Sequence, residues 1–373
     1  MAGRKIEIGA NWVHGVGGNP IFDIAANKKL NLVETNWSSV AYLPVGADPN
    51  EEEEVARFEK AFEKAEERAK RYRDTGKKDL TVADALRYEG WVAKTPLEKA
   101  LIESDMDADI GPMESTSFEL GMNIATYEED DRDMLVADPK GYTSLAYDLL
   151  AKNFPNPMSN KNVLLNTKVT KIVYSNTGVK VQATTNGKAT TYDADYVITT
   201  FSAGVLRNKA LELFEPRLPE AKLDAIFRVD MTLFLKVFVE TTERFWADVT
   251  EGAESWIFAD EVKGNFTTWV DLSVSKLGAD FASPKNSSYL SLCMIAGDFA
   301  AKMEKLSEAQ LKDEVVKAMR AMFPKAAGRI DTKTVASVNM HKWGQDELFG
   351  GSWSNPGRDF TKADFKKLAD PVG

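Results

Sequence analysis

The chain is poor in the residues that most often mark a site. Its 373 residues include one cysteine, Cys293, and two histidines, His14 and His341. A single thiol excludes an intramolecular disulfide framework and a cysteine-built zinc site. The two histidines lie far apart in sequence, and neither has a ligand partner at helical spacing, so no metal site is expected. No G-x-S-x-G elbow is present, which leaves a Ser-His-Asp hydrolase unsupported. Neither G-x-G-x-x-G nor G-x-x-x-x-G-K-[ST] occurs, so the two common phosphate-cradling loops are missing. No apolar run approaches the length of a transmembrane helix. A basic excess is lacking as well: 47 Lys and Arg stand against 57 Asp and Glu, a net charge of −10. That balance argues against a nucleic-acid partner and suits attraction of cationic small molecules. Nothing in the composition assigns a compartment.

What is there points to a globular chain long enough for two domains or one large one. Residues 5–13 read as a strand broken by Gly15, Gly17 and Gly18, and Pro20 opens a short helix. Residues 50–73 read as a helix, with Asn50 as N-cap, glutamates in the first turn and basic residues in the last. Its apolar stripe of Val55, Phe58, Phe62 and Ala65 is narrow, as expected of a solvated surface element. Thr95, Pro96 and Glu98 spell a capping box for a second helix over 95–103, and Ser307 with Gln310 another for a helix reaching Phe323. A third helix is expected over 141–153. From 163 the pattern turns to strands, running to about residue 200, with Asn186-Gly187 as a hairpin turn. More strands are expected over 229–240, near 255–271 and over 288–295. No repeat or low-complexity linker divides the chain, so any domains are interleaved.

Two features can carry chemistry. Lys236 is the only charge in the apolar strand "TLFLKVFV", on the same face as Phe234 and Phe238. An unpaired ammonium there costs several kcal/mol or loses its proton. It is either a lysine snorkelling at a strand edge or one held in an aromatic pocket to position a water or a reacting group. Trp12, Trp343 and Trp353 sit in glycine-flanked or polar loops, where tryptophan either packs a core or lines a flat cofactor or a cation. The stretch "GVGGNP" is no dinucleotide loop, because Pro20 has no N–H to give a phosphate.

Taken together, "EIGANWVHGVGGNPIF", "YDADYVITTFSAGVL", "VDMTLFLKVFVE", "WGQDELFGGSWSNP" and "LADPVG" resemble segments of the flavin-dependent polyamine oxidases, within the wider amine oxidase family. The resemblance runs over essentially the whole chain. It implies an α+β fold, a mixed sheet flanked by helices, in two interleaved parts. Residues 30–136 and 229–350 would form the substrate domain. Residues 1–29, 137–228 and 351–373 would form a remnant of the FAD-binding domain. It also implies that the N-terminal glycine-fingerprint unit and the C-terminal flavin motif lie outside this chain. Tight FAD binding by the isolated chain is then not expected, and apolar surface left uncovered would promote self-association.

The roles implied by the resemblance are these. Lys236 matches the lysine that holds a water at the flavin. Gly9, Ala10, Asn11 and Trp12 match the flavin-facing loop, Trp343 a tryptophan near the ring, and Val169 the valine whose backbone meets the adenine. His14 stands where members place His or Glu in the substrate channel, and Phe234 and Trp353 match pocket aromatics. A second acidic residue of some plant-type members falls near Pro112, where this chain departs from the pattern. The implied activity is FAD-dependent oxidation of secondary amines of spermine or spermidine with production of H2O2. The alternatives are a flavin-free amine-binding or structural protein of the same descent, and an oxidase of amino acids.

Overall fold

The computed structural model describes residues 1, 5–44, 50–72, 79–123, 130–277 and 288–373. It is α+β, with mixed sheets flanked by helices. The largest sheet has six strands, in the order Val335–Asn339, Phe234–Thr241, Tyr289–Ala296, Thr268–Asp271, Ser255–Phe258 and Val40–Leu43. Its neighbours are antiparallel except the last pair, which is parallel.

The strand Phe234–Thr241 shows the two-residue alternation expected of it. Leu235, Val237 and Val239 bury into one core cluster with Leu311, Val315 and Met319 of the helix Glu308–Met322. In the same cluster Trp256 stacks between Trp246 and Trp269, at 5.4 and 5.7 Å. The opposite face carries Phe238, packed with Trp12, Leu135 and Leu292. Phe234 and Lys236 share this second face. Val335–Asn339 pairs only with Phe238–Thr241, so beside Lys236 the strand has one ladder partner, Met294.

A second sheet of four strands, in the order Lys188–Ala194, Gly178–Thr185, Thr167–Ser175 and Phe214–Glu215, lies over Ile172, Leu213 and Ile226. Asn186 and Gly187 form the expected hairpin turn, both with positive φ, 48° and 79°. The expected strand at 196–200 does not form. The segment has high strand propensity, but among the described residues it pairs with no other strand. Propensity without a ladder partner does not make a sheet.

A third, small sheet joins Trp12–His14 to Asp133–Val136, and that strand to Leu32–Glu34. The strand expected at 5–13 shrinks to Trp12–His14, where its ladder with Asp133–Val136 begins, and before it the Gly9 carbonyl accepts from Lys236. Both expected capping boxes are present, at Thr95/Glu98 and Ser307/Gln310. The first heads Pro96–Ile102, which ends sooner than expected and passes into a π-helical turn, Glu103–Asp107. The helix Glu51–Tyr72 is less solvated than its composition suggests: Phe58, Ala61, Ala65 and Ala69 bury against Leu86 and Trp91. Among the described residues no helix is long and apolar enough to cross a membrane, and no cluster of ligating side chains could hold a metal.

Candidate active site

Lys236 organises the candidate site. Its strand delivers the side chain to the segment before Trp12, where Nζ donates to the Gly9 carbonyl and to Asn11 Oδ1. Nζ also sits 5.5 Å from the centre of the Trp12 ring, within range of a cation–π contact. Burial pushes the Lys236 ammonium down to about 7, against a smaller opposing pull from Glu7. Near neutral pH this amine therefore holds its proton loosely, and it presents N–H donors on the face shared by the aromatics. The side chain is half-buried and bonds the loop that the sequence singled out.

Phe234, two residues along the same face, meets Trp353 at a ring separation of 4.8 Å. Ser352 fixes that pair: its Oγ accepts from the Phe234 N–H at 2.8 Å and donates to the Phe234 carbonyl at 2.6 Å. Trp353 Nε1 reaches the Ile110 carbonyl at 3.4 Å, just past the π-helical turn. Behind this wall, Glu103 Oε1 accepts from the N–H of Ala296, the residue paired with Phe234. Burial and the neighbouring Asp107 push the Glu103 carboxyl up to about 8, so it is a neutral donor-acceptor at neutral pH.

Trp12 is held by its own bond, Nε1 to Thr35 Oγ1 at 2.8 Å, and by Trp37, whose ring lies 5.6 Å away. His14 leaves the same strand toward solvent and pairs with Asp133, Nδ1 to Oδ1, at 2.9 Å. Trp343 stands in a loop closed by Asp346, with His341 and Phe349 edge-on at 4.2 and 4.9 Å. That loop follows the strand Val335–Asn339 and returns to the site strand through Ser352. Val169 is apart. It lies on the four-stranded sheet beside a bulge, and its neighbour Lys168 reaches Glu347 of the Trp343 loop at 2.6 Å. The structure thus brings Gly9, Asn11, Trp12 and Lys236 into contact, with Phe234 and Trp353 adjoining. It does not bring Val169 to them. Ala10 lies between the two contacts of Lys236, exposed.

Sequence reasoning missed Thr35, Trp37, Asp133 and Ser352. Serine and threonine carry no motif here, and the strand that delivers Asp133 is four residues long. Only the register of a sheet joining distant segments reveals them.

The ring end of a flavin fits what is present. A Cβ built on Gly9 would meet nothing within 4 Å, so the space before this glycine is open, beside the Lys236 N–H donor and the Trp12 indole. A model of the flavin containing amine oxidoreductases matches residues 1–372. Polyamine oxidase 6 of Oryza sativa subsp. japonica is 27% identical over 392 residues, covering 100% of this chain and 75% of its own length. Polyamine oxidase 1 of Zea mays is 27% identical over 393 residues, with the same coverage. Among solved structures, a putrescine oxidase bound to putrescine superposes with a TM-score of 0.69 at 14% identity, covering 99% of this chain and 81% of the other. That likeness is one of fold. With its match from end to end, its lysine bonded to the Gly9–Trp12 segment and this shared fold, the chain belongs to the flavin containing amine oxidoreductase family.

Proposed function

We propose that this chain is a polyamine oxidase, built to oxidise secondary amines of the spermine and spermidine class with FAD and to yield H2O2. The observation that carries the reading is Lys236: a buried amine, bonded by Gly9 and Asn11, beside an indole and an aromatic pair. When bound, FAD supplies the acceptor for the hydride of the amine carbon and passes the electrons to O2. Gly9, Ala10, Asn11 and Trp12 would hold its ring end, with Trp343 nearby and Val169 at the adenine end. Lys236 holds a proton donor at the buried face. Phe234 and Trp353 offer π-faces that orient an ammonium and exclude water. The net charge of −10 favours arrival of a polycation. On this reading 30–136 and 229–350 form the substrate side, which holds all six strands of the largest sheet, and 1–29, 137–228 and 351–373 the flavin side, with Trp12–His14 and Trp353–Pro356 pairing across the boundary.

The test is absorbance of the purified chain, as isolated and after addition of FAD, followed by anaerobic spermine. With FAD in large excess, as weak binding requires, flavin bleaching by spermine and H2O2 on readmission of air are the expected result. In the flavin-loaded protein Lys236→Met lowers the rate by at least about a hundredfold, the usual weight of a positioned proton donor. Bleaching by an amino acid in place of spermine would overturn the substrate class. Binding of spermine with no flavin taken up would leave an amine-binding protein.

A further inference from the structure

His14 and Asp133 face each other directly across the two strands Trp12–His14 and Asp133–Val136. Cross-strand partners in such a pair lie within side-chain reach on one face. Their contact is specific: Nδ1 of the imidazole to Oδ1 of the carboxylate at 2.9 Å. The second carboxylate oxygen is also occupied, by the Trp37 indole N–H at 2.8 Å. Asp133 is thus clamped at both oxygens, and its side chain is 19% exposed where that of His14 is 71% exposed. The clamp orients a ring whose far nitrogen, Nε2, has no bond among the described residues, on a side chain that faces solvent. The same clamp touches the catalytic end. Trp37 packs on Trp12, and Trp12 lies under Lys236.

A carboxylate accepts and cannot donate. A neutral His14 must therefore carry its proton on Nδ1, which leaves Nε2 as a lone-pair acceptor. An ammonium group, by contrast, has N–H donors and no acceptor. We propose that Asp133 is a positioning residue that locks His14 in the Nδ1–H form, so that Nε2 accepts a hydrogen bond from an ammonium of the substrate. Proton occupancy of His14 then gates amine binding. This rests on the amine-oxidising reading above and on the place in the substrate channel that the resemblance gives His14, to which it adds the role of Asp133.

The gate has a definite sign. The imidazole and the substrate are both cationic when His14 is protonated, and Nε2 then has no lone pair to offer. The bond to Asp133 raises His14 above its ordinary value. Partial burial and Lys236 pull it down, and Asp109 adds to the rise. Burial pushes Asp133 up, but its bonds from His14 and Trp37 outweigh this and keep it a carboxylate, below the usual range. Among the described residues the other charges flanking these strands are Asp130, Asp131, Arg132 and Glu34, and Arg132 pairs with Asp130 and Glu34. Amine binding should therefore weaken as pH falls through the His14 midpoint, by about tenfold per unit, the slope of one competing proton.

With two histidines in the chain, His14 can be followed by itself. The experiment is nitrogen-15 and carbon-13 NMR of the imidazoles across pH, without and with spermine, with His341→Gln assigning the signals. In the wild type, His14 is expected as the Nδ1–H tautomer, and spermine should shift its Nε2 resonance. An Nε2–H tautomer would overturn the proposal with no variant needed. In Asp133→Asn the midpoint of His14 should move down, and the acid limb of spermine binding should move with it, while His341 stays. A limb that stays while the midpoint moves would sink the gate. Trp37→Phe removes the other bond to Asp133 and should leave the tautomer intact. If spermine binds nowhere, the amine-oxidising reading fails, while the tautomer in the free protein still decides what Asp133 does.

Discussion

At Lys236 two contributions to stability oppose each other. Its bonds to Gly9 and Asn11 satisfy two acceptors, whereas burial penalises its charge. The first is independent of pH and the second is not. In the unfolded chain the amine keeps its proton up to about 10.5, and in the folded chain it loses it near 7. Between those values the unfolded state binds more protons, so this residue makes stability rise with pH. Glu103 works the other way. Its folded value near 8 lies above the ordinary 4.5, so its contribution is complete below 4.5 and lost as pH rises through 8. The two windows overlap, and only a comparison of variant with parent separates them. In Lys236→Met the apolar stem remains and the packing volume is roughly kept. Urea unfolding from pH 7 to pH 10 should show the parent gaining stability relative to the variant over that range. Parallel curves would mean that the amine is not desolvated, and the reading of Lys236 as a buried functional group would fall with it.

The elements that carry the site were unevenly legible. Caps are local chemistry, and the boxes at Thr95 and Ser307 were read from four residues each. The alternation of Phe234–Thr241 was equally plain. The π-helical turn at Glu103–Asp107 was not: no sequence period marks it, and the bond from Ala296 to Glu103 spans 193 positions. The contact between Phe234 and Trp353 needed the resemblance, since no period links residues on different elements. The closure of the Trp343 loop depends on a helix that sequence reasoning had passed over, Ala203–Leu213. Its Ser202 side chain caps Val205 and donates to the Phe349 carbonyl at 2.6 Å. Gly204 lets the two backbones touch: a Cβ there would lie 2.3 Å from the Phe349 oxygen. Neither backbone can yield without moving Trp343, which stacks edge-on to Phe349. Gly204→Ala should therefore destabilise by about 1–3 kcal/mol, the usual cost of overpacking. Gly328→Ala is the matched control, because a Cβ there meets nothing within 4 Å. It should be neutral or slightly stabilising through loss of unfolded-state freedom. Equal midpoints for both variants in urea would show that the helix and the loop are not in contact.

For the molecule as a whole, charge and apolar surface pull in opposite directions. A net charge of −10 keeps copies apart, with a reach set by salt. The segment around 196–200 draws them together. Tyr196 is 89% exposed and Ile198 90% exposed, in a run with strand propensity and no ladder partner among the described residues. Such a run is a template for pairing with another chain. The balance is decided by screening. At about 0.01 M salt the charges act over about 30 Å, and at 0.15 M over about 8 Å, so at the higher salt the charges spread over the rest of each surface no longer hold two copies apart. Sedimentation velocity should therefore show a single slow species at low salt and concentration-dependent association at the higher salt. Ile198→Lys adds a charge on the segment itself and touches no core cluster, so it should restore the slow species without loss of secondary structure. Association that ignores both salt and Ile198→Lys would place the contact elsewhere on the surface. A slow species under every condition would mean that the exposed segment is tolerated as it stands.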